Sequence, residues 1–425
     1  MEQTLSRRDR RSFLRTVGAV GLGSALLPAR VFGVAKEDAA SESKKPERPA
    51  DSGKPKMPLR KLGKTGVKVP VLSLGTMFNL LDNQIILRRS MDLGVTYWDT
   101  SNVYAGGNSE LGIGKYLTDN PKARKDLFIV TKALNAKDGE AMEKCLQLSL
   151  ARMKTTYIDL HFFHDLRDPA DLSDDIRMWA QGAKKRKLIR FFGFSTHKNM
   201  ALCLRAAAKL DWIDAIMTVY NFRLMQDAEM QAGVDACHKA KIGLVAMKTQ
   251  GIGPVAKWAG HTPKIETDAD RKLVDHFLKR GLTEGQAKIK VVLDDKRFAS
   301  VCVGMENVGF LRSNVDAVTD KPKLTRRDVD ALRRYAEHTR TGYCGGCGHI
   351  CESALPEAPC VSDIMRSLMY CNGYGRRDLG AELFASVPAC VRSRLLEIDY
   401  SLSEARCPNR LPIQRLVAEA VREFA

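Results

Sequence analysis

Thr96–Ser101 (TYWDTS), Leu127–Ala133 (LFIVTKA) and Ile158–His164 (IDLHFFH) are three short apolar runs, and each carries a polar or charged residue at or next to its end. Helical patterns separate them, such as Gly139–Met153 with its apolar positions three and four apart. The runs are rich in Val, Ile, Phe and Leu and alternate little, as expected of strands buried on both faces. Five more follow the same pattern: Val69–Thr76, Ile189–Thr196, Ala215–Asn221, Ile242–Thr249 and Phe298–Gly304. Helix starts carry candidate caps at Asn83, Ser109, Ser173 and Asp227. Eight strand-then-helix units predict an α/β protein, a (β/α)8 TIM barrel. A doubly wound open sheet is the competitor, but no G-x-G-x-x-G follows the first strand.

In such a barrel the chemistry sits at the C-terminal ends of the strands. Those ends carry Asp99 with Tyr104 close behind, Lys132, and His164. A phenol is a weak acid at neutral pH, and a nearby ammonium favours its ionised form. A carboxylate beside the ammonium holds it in place. Asp99, Lys132 and Tyr104 can form that chain, and His164 can orient a carbonyl oxygen. The set predicts a proton donor beside a polarised C=O, which with a hydride donor reduces a carbonyl to an alcohol. His161, three residues before His164, points to another part of its strand.

These residues lie in a longer series of short motifs. It runs through Leu74-Gly75-Thr76, Trp98-Asp99-Thr100-Ser101-x-x-Tyr104, Ser109-Glu110-x-x-x-Gly114, Thr131-Lys132 and Tyr157-Ile158-Asp159-Leu160-x-x-x-His164. It continues through Gly193-Phe194-Ser195, Tyr220-Asn221 and Val303-Gly304-Met305. In order and spacing, residues 58–320 resemble the aldo-keto reductases. The resemblance implies a catalytic tetrad of Asp99, Tyr104, Lys132 and His164, and an NAD(P)-dependent oxidoreductase acting on a small carbonyl substrate. It also implies a bound nicotinamide dinucleotide, NADP in most of the family. Ser195 matches the serine that contacts the carboxamide, and Asn314 an asparagine that contacts adenine. Tyr220, Asn221, Lys248, Gly304 and Met305 complete the cofactor-binding set. Three departures weaken the match: Thr196 stands where many relatives have Asn, Met217 where Gln is frequent, and Glu306 where NADPH users place basic or hydroxyl groups. Glu306 would repel a 2′-phosphate and Lys248 could offset it, so NAD is the alternative.

The 425 residues are 44% apolar and 28% charged, enough to bury a core. That excludes disordered, collagen-like and coiled-coil chains. The length suits one barrel of about 250 residues with a smaller unit. Lys and Arg exceed Asp and Glu by 18, scattered without interleaved aromatics, so no nucleic-acid partner is expected. No apolar run reaches the roughly 20 residues a membrane-spanning helix needs. The N-terminus carries Arg10-Arg11-Ser12-Phe13-Leu14-Arg15, the apolar stretch Val17–Leu27, and Gly33-Val34-Ala35 before Lys36. This resembles a twin-arginine (Tat) signal peptide, which implies export by the Tat machinery to the periplasm or another extracytoplasmic space. Residues 36–56 hold no aromatic or large aliphatic side chain and read as a flexible linker.

Seven of the eleven cysteines fall in the last 82 residues. Cys145, Cys203, Cys237 and Cys302 sit in apolar segments and read as buried thiols. Cys344-x-x-Cys347-x-x-x-Cys351 is glycine-rich, and Cys407-Pro408 follows far downstream. Such spacing can clasp a metal centre, either iron–sulfur or zinc. A disulfide-stapled tail is the other reading. A subset of aldo-keto reductases carries a ferredoxin-like C-terminal extension, which this tail resembles. That likeness implies one [4Fe–4S] cluster on Cys344, Cys347, Cys351 and Cys407, with Cys360 the rival fourth ligand, and a redox partner protein. The domains expected are therefore a signal peptide (1–35), a linker (36–56), the barrel (57–322) and a small, mainly helical cysteine-rich domain (323–425).

Overall fold

The computed structural model describes residues 56–425 apart from 260, 261, 266 and 358. The expected leader, and the linker up to residue 55, lie outside the described residues. The described residues from 56 to 425 belong to one compact unit.

Eight parallel strands close into a barrel, β8-β1-β2-β3-β4-β5-β6-β7. They are β1 (Leu72–Gly75), β2 (Tyr97–Asp99), β3 (Phe128–Ala133), β4 (Ile158–Phe163), β5 (Ile189–Thr196), β6 (Ala215–Val219), β7 (Gly243–Met247) and β8 (Phe298–Gly304). Every run expected as a strand forms one, and the helix expected over Gly139–Met153 has those bounds. The first run divides. Lys68–Pro70 pairs antiparallel with Leu59–Lys61, and β1 begins at Leu72. Pro70 has no amide hydrogen to give a ladder, and Val71 sends its own to the Pro58 carbonyl at 3.0 Å. The hairpin seals the N-terminal end of the barrel. Lys64 N–H reaches the Lys241 carbonyl at 2.6 Å, and the Arg60 guanidinium reaches the Leu293 and Phe298 carbonyls. Gly63 (φ +50°) is required in that turn, because a Cβ there would lie 2.3 Å from the Gly243 nitrogen.

Two of the four expected caps form. The Ser173 and Asp227 side chains accept from the amides of Ile176 and Met230. Asn83 instead donates to the Glu306 carbonyl, across to the loop after β8. Ser109 lies inside helix Asn108–Asp119, and its hydroxyl bonds Thr76 and Thr100 at 2.7 Å each. This explains the Ser109-Glu110-x-x-x-Gly114 pattern. Ser109 ties the helix to the ends of β1 and β2. Buried Glu110 accepts from Thr131 of β3 and pairs with Arg152. A Cβ on Gly114 would lie 2.0 Å from the Arg152 carbonyl oxygen.

The tail is helical, as expected, with helices at Arg326–His338, Val361–Leu368, Arg377–Ala385 and Ile413–Phe424 among others. Its hydrophobic core begins later than the expected boundary at residue 323. Leu332, Ala336 and Tyr343 belong to the barrel core, whereas the second core runs from Cys351 to Ala420. Among the described residues no helix is long and apolar enough to cross a membrane.

His161 on β4 is fully buried, edge-on to Trp179, with no hydrogen-bond partner at either ring nitrogen among the described residues. Burial pushes its pKa down to about 3, against the small opposing pull of Glu143. Between that value and the ordinary histidine pKa of about 6.5, the folded chain binds fewer protons than the unfolded one. Stability present above pH 6.5 is therefore lost as pH falls toward 3. His161→Phe removes that term. Its acid-unfolding midpoint, followed by circular dichroism, is expected at lower pH than wild type; an unshifted midpoint contradicts the account.

Candidate active site

The strand ends bring Asp99, Tyr104, Lys132 and His164 to one rim. Lys132 Nζ lies 2.6 Å from Asp99 Oδ1, 2.7 Å from the Thr100 carbonyl and 3.3 Å from the Tyr104 hydroxyl. Asp99 and Lys132 are buried almost completely. Burial disfavours the ammonium, but Asp99 and Tyr104 outweigh it and hold Lys132 above the ordinary lysine value. Burial also raises Tyr104, against the pull of Lys132, to beyond the usual phenol range. The expectation that Lys132 would bring the phenol's pKa down is thus corrected for the ligand-free site: desolvation wins, and Tyr104 keeps its proton at neutral pH. The Cys302 thiol beside Asp99 is likewise pushed up by burial and stays neutral.

His164 follows β4, with its ring edge-on to Tyr104 at 5.8 Å. Burial, then the Lys132 charge, holds its pKa well below the ordinary histidine value, so the imidazole is neutral. Its Nδ1 lies 3.0 Å from the Ser101 hydroxyl. That hydroxyl also reaches the Lys132 carbonyl at 3.2 Å and Asn102 Oδ1 at 3.3 Å. Nε2 is a donor only in the tautomer where Ser101 gives its proton to Nδ1. Ser101 therefore decides whether His164 can hold a carbonyl oxygen.

The residues expected to bind a cofactor divide into three groups. Ser195 is fully buried on β5, and its hydroxyl accepts the Asp165 amide at 3.1 Å, which leaves its own proton for a ligand. Gly304 is exposed with open space around it, Met305 behind it is buried, and Asn314 is half-buried on helix Val308–Thr319. Asn221 and Lys248 reach the mouth but are bonded to tail tyrosines. The Asn221 amide donates to the Tyr343 hydroxyl at 2.9 Å, and Lys248 Nζ to the Tyr370 hydroxyl at 3.0 Å. Tyr220 does not join them. Its ring stacks on Phe298 at 4.3 Å, and its hydroxyl is held by Asp295, Gln231 and Arg297. Tyr220 is therefore a wall residue, and the Tyr-Asn pair contributes only Asn221.

Sequence reasoning missed the groups that close the mouth. Arg366 on helix Val361–Leu368 meets Asp165, the residue after His164, with contacts of 3.0 and 2.8 Å. Burial alone would raise Asp165, but Arg366 and His197 hold it well below the carboxylate range. Asp363 and Arg366, three apart within the apolar run Val361–Tyr370, were the available signal: a charged pair on a helix face that must be buried. A π-helical turn, Met369–Gly373, then carries Tyr370 to Lys248.

The cysteine loop sits on the barrel loop after β5. The Asn199 amide donates to the Gly346 carbonyl at 2.8 Å, and Asn409 Nδ2 to the Tyr343 carbonyl at 2.8 Å. Gly346 (φ +75°) is needed there, because a Cβ would lie 2.5 Å from the His197 carbonyl oxygen. Among the described residues no disulfide joins any of the eleven cysteines. Among the described residues no three His, Cys, Asp or Glu side chains gather round a point that could hold one metal ion. Cys344, Cys347, Cys351 and Cys407 nevertheless lie close enough to feel one another's charge. Burial first, and those neighbours after it, push the Cys347 and Cys351 thiols up to about 12. Cys360 interacts instead with Glu352, Lys198, Asp363 and Arg167.

Residues 72–337 match the model of the Aldo/keto reductase family. The chain belongs to that family and is an oxidoreductase of aldo-keto reductase type. It is 24% identical over 303 residues to L-galactose dehydrogenase of Arabidopsis thaliana, covering 65% of this chain and 94% of the relative. It is 25% identical over 321 residues to aldo-keto reductase yakc [NADP(+)] of Schizosaccharomyces pombe, covering 66% and 92%. A solved thermostable aldo-keto reductase in complex with the inhibitor epalrestat shares the fold, with a TM-score of 0.54 at 23% identity, over 66% of this chain and all of that one. About a third of the chain, including most of the tail, lies outside these matches.

Proposed function

We propose that this protein reduces an aldehyde or ketone with NADPH as hydride source, or runs the reverse reaction. The observation that carries the reading is the buried chain Asp99–Lys132–Tyr104, which ends in a protonated phenol beside a neutral imidazole. Ser195, Asn221, Lys248, Gly304, Met305 and Asn314 would hold the dinucleotide. The free proton on Ser195 and the open backbone at Gly304 suit it; Asn221 and Lys248 serve once their tail tyrosines yield. When bound, the nicotinamide supplies a hydride to the carbonyl carbon. His164 Nε2–H holds the carbonyl oxygen, and Tyr104 gives that oxygen its proton. Lys132 then lies 3.3 Å from the phenolate oxygen so formed, and Asp99 keeps the ammonium there. NADP is preferred because the fission-yeast relative carries it in its name. Glu306 keeps NAD as the alternative.

We also infer one [4Fe–4S] cluster on Cys344, Cys347, Cys351 and Cys407. A cubane spreads its four thiolates wider than a single ion does. The mutual electrostatic contact of these four, and the separate surroundings of Cys360, favour Cys407 as fourth ligand. The Arg10-Arg11 leader supports export through the twin-arginine route with the cluster already in place, to an extracytoplasmic space where a redox partner could meet it.

Tyr104→Phe is expected to lower kcat by about 10²- to 10⁴-fold, while the Kd for NADPH, read by nucleotide fluorescence, changes little. Full retained activity in this variant defeats the assignment. For the cluster, iron and labile sulfide are measured on anaerobically purified protein. Cys407→Ala is expected to lose the iron and Cys360→Ala to keep it. The reverse moves the fourth ligand to Cys360, and iron-free wild type removes the cluster.

A further inference from the structure

Where the tail meets the barrel mouth, three carboxylates each find a cation. Asp165 pairs with Arg366 at 2.8 Å, Asp363 with Arg167 at 3.1 Å, and Glu352 with Lys198 at 2.6 Å. His197, on Asp165, adds no charge, because burial brings its pKa down to about 4. Among the described residues no carboxylate pairs with Lys248, whose ammonium bonds the Tyr370 hydroxyl and lies 4.4 Å over the Tyr370 ring and 5.4 Å from the Tyr374 ring centre. Lys248 is half-buried, and an ammonium there with no carboxylate beside it leaves a positive charge that an anionic group would neutralise.

A second group points the same way. Arg366 spends its terminal nitrogens on Asp165 and Asp363, but its Nε is buried and has no partner. Lys248 and Arg366 both line one cavity of about 40 Å³, walled also by Asn221, Tyr343 and Met365. At roughly 10–15 Å³ each it has room for three or four waters, or for the oxygens of one small anion, and not for a nucleotide. Tyr370 fits as the stand-in. Burial raises its pKa, but Lys248 and Arg366 outweigh burial and bring it below the ordinary phenol value.

We propose that Lys248 of the barrel and Arg366 of the tail form an anion subsite that takes the terminal oxygens of a phosphate or carboxylate group. The anion displaces the Lys248–Tyr370 contact and supplies the missing negative charge. Two sources share this chemistry: a phosphate of the dinucleotide, or a carboxylate carried beside the carbonyl of the substrate. The second source rests on the reductase reading; the subsite itself does not.

The test begins with inorganic phosphate, titrated calorimetrically into the full chain. Wild type is expected to bind it, Lys248→Met to bind about ten- to a hundredfold more weakly, and Lys248→Arg to recover most of the loss. The arginine variant also controls for folding. Absent phosphate binding, or equal binding by Lys248→Met, overturns the proposal. The source follows from two comparisons on Lys248→Met. A larger rise in the NADPH Kd marks the nucleotide phosphate. A larger rise in KM for phenylglyoxylate than for benzaldehyde marks a substrate carboxylate. Phosphate binding that depends on Lys248 in a protein reducing neither carbonyl supports the subsite and defeats the reductase reading instead.

Discussion

The 2.6 Å pair between Lys132 and Asp99 is the contact on which the rest of the mouth depends. Both groups are removed from water, which costs several kcal/mol per ion before their attraction is counted. Two well-packed apolar residues would serve the barrel's stability as well. Removing one partner alone would cost about 3–5 kcal/mol, since the other charge would be stranded. The pair therefore commits β2 and β3 to each other at their C-terminal ends. It also sets the neighbouring electrostatics. Burial first, and the ammonium after it, keep His164 neutral; the ammonium also reaches the Tyr104 hydroxyl, and burial keeps that phenol protonated. A donor, an orienting imidazole and a cation ready for the phenolate thus follow from one buried ion pair.

The tail adds a second wall. Its helix Val361–Leu368 and the turn after it bring Arg366 and Tyr370 against Asp165 and Lys248, groups on the loops after β4 and β7. The cysteine loop rests on the loop after β5 through Gly346 and Asn199. These contacts make barrel and tail one compact unit, and they put the cysteine-bearing segment beside the residues that would hold a cofactor. The nearest link between that segment and the mouth is Tyr343, whose hydroxyl accepts from Asn221.

The barrel was legible because strand burial writes itself as continuous apolar runs, and the tetrad because each member follows one of those runs. Less could be read where tertiary contact decides. Tyr220 lies next to Asn221 in sequence, just past the end of β6, yet its hydroxyl goes to Asp295 and its ring to Phe298. Ser109 looked like a cap because serine favours that position, but its hydroxyl is claimed by two threonines from other strands. The pKa of Tyr104 was misjudged because charge proximity shows in sequence motifs and desolvation does not. The charged pair Asp363 and Arg366 signals a helix face that is buried, but nothing in the tail's pattern says which barrel loop that helix and Tyr370 cover.

The central claim is that a hydride passes to a carbonyl carbon in this mouth. The most direct measurement supplies NADPH deuterated at the transferable position, together with benzaldehyde or phenylglyoxal, and analyses the alcohol by mass spectrometry and NMR. The account predicts deuterium on the carbinol carbon, placed on one face. Bound nucleotide with no label in any alcohol product would contradict it.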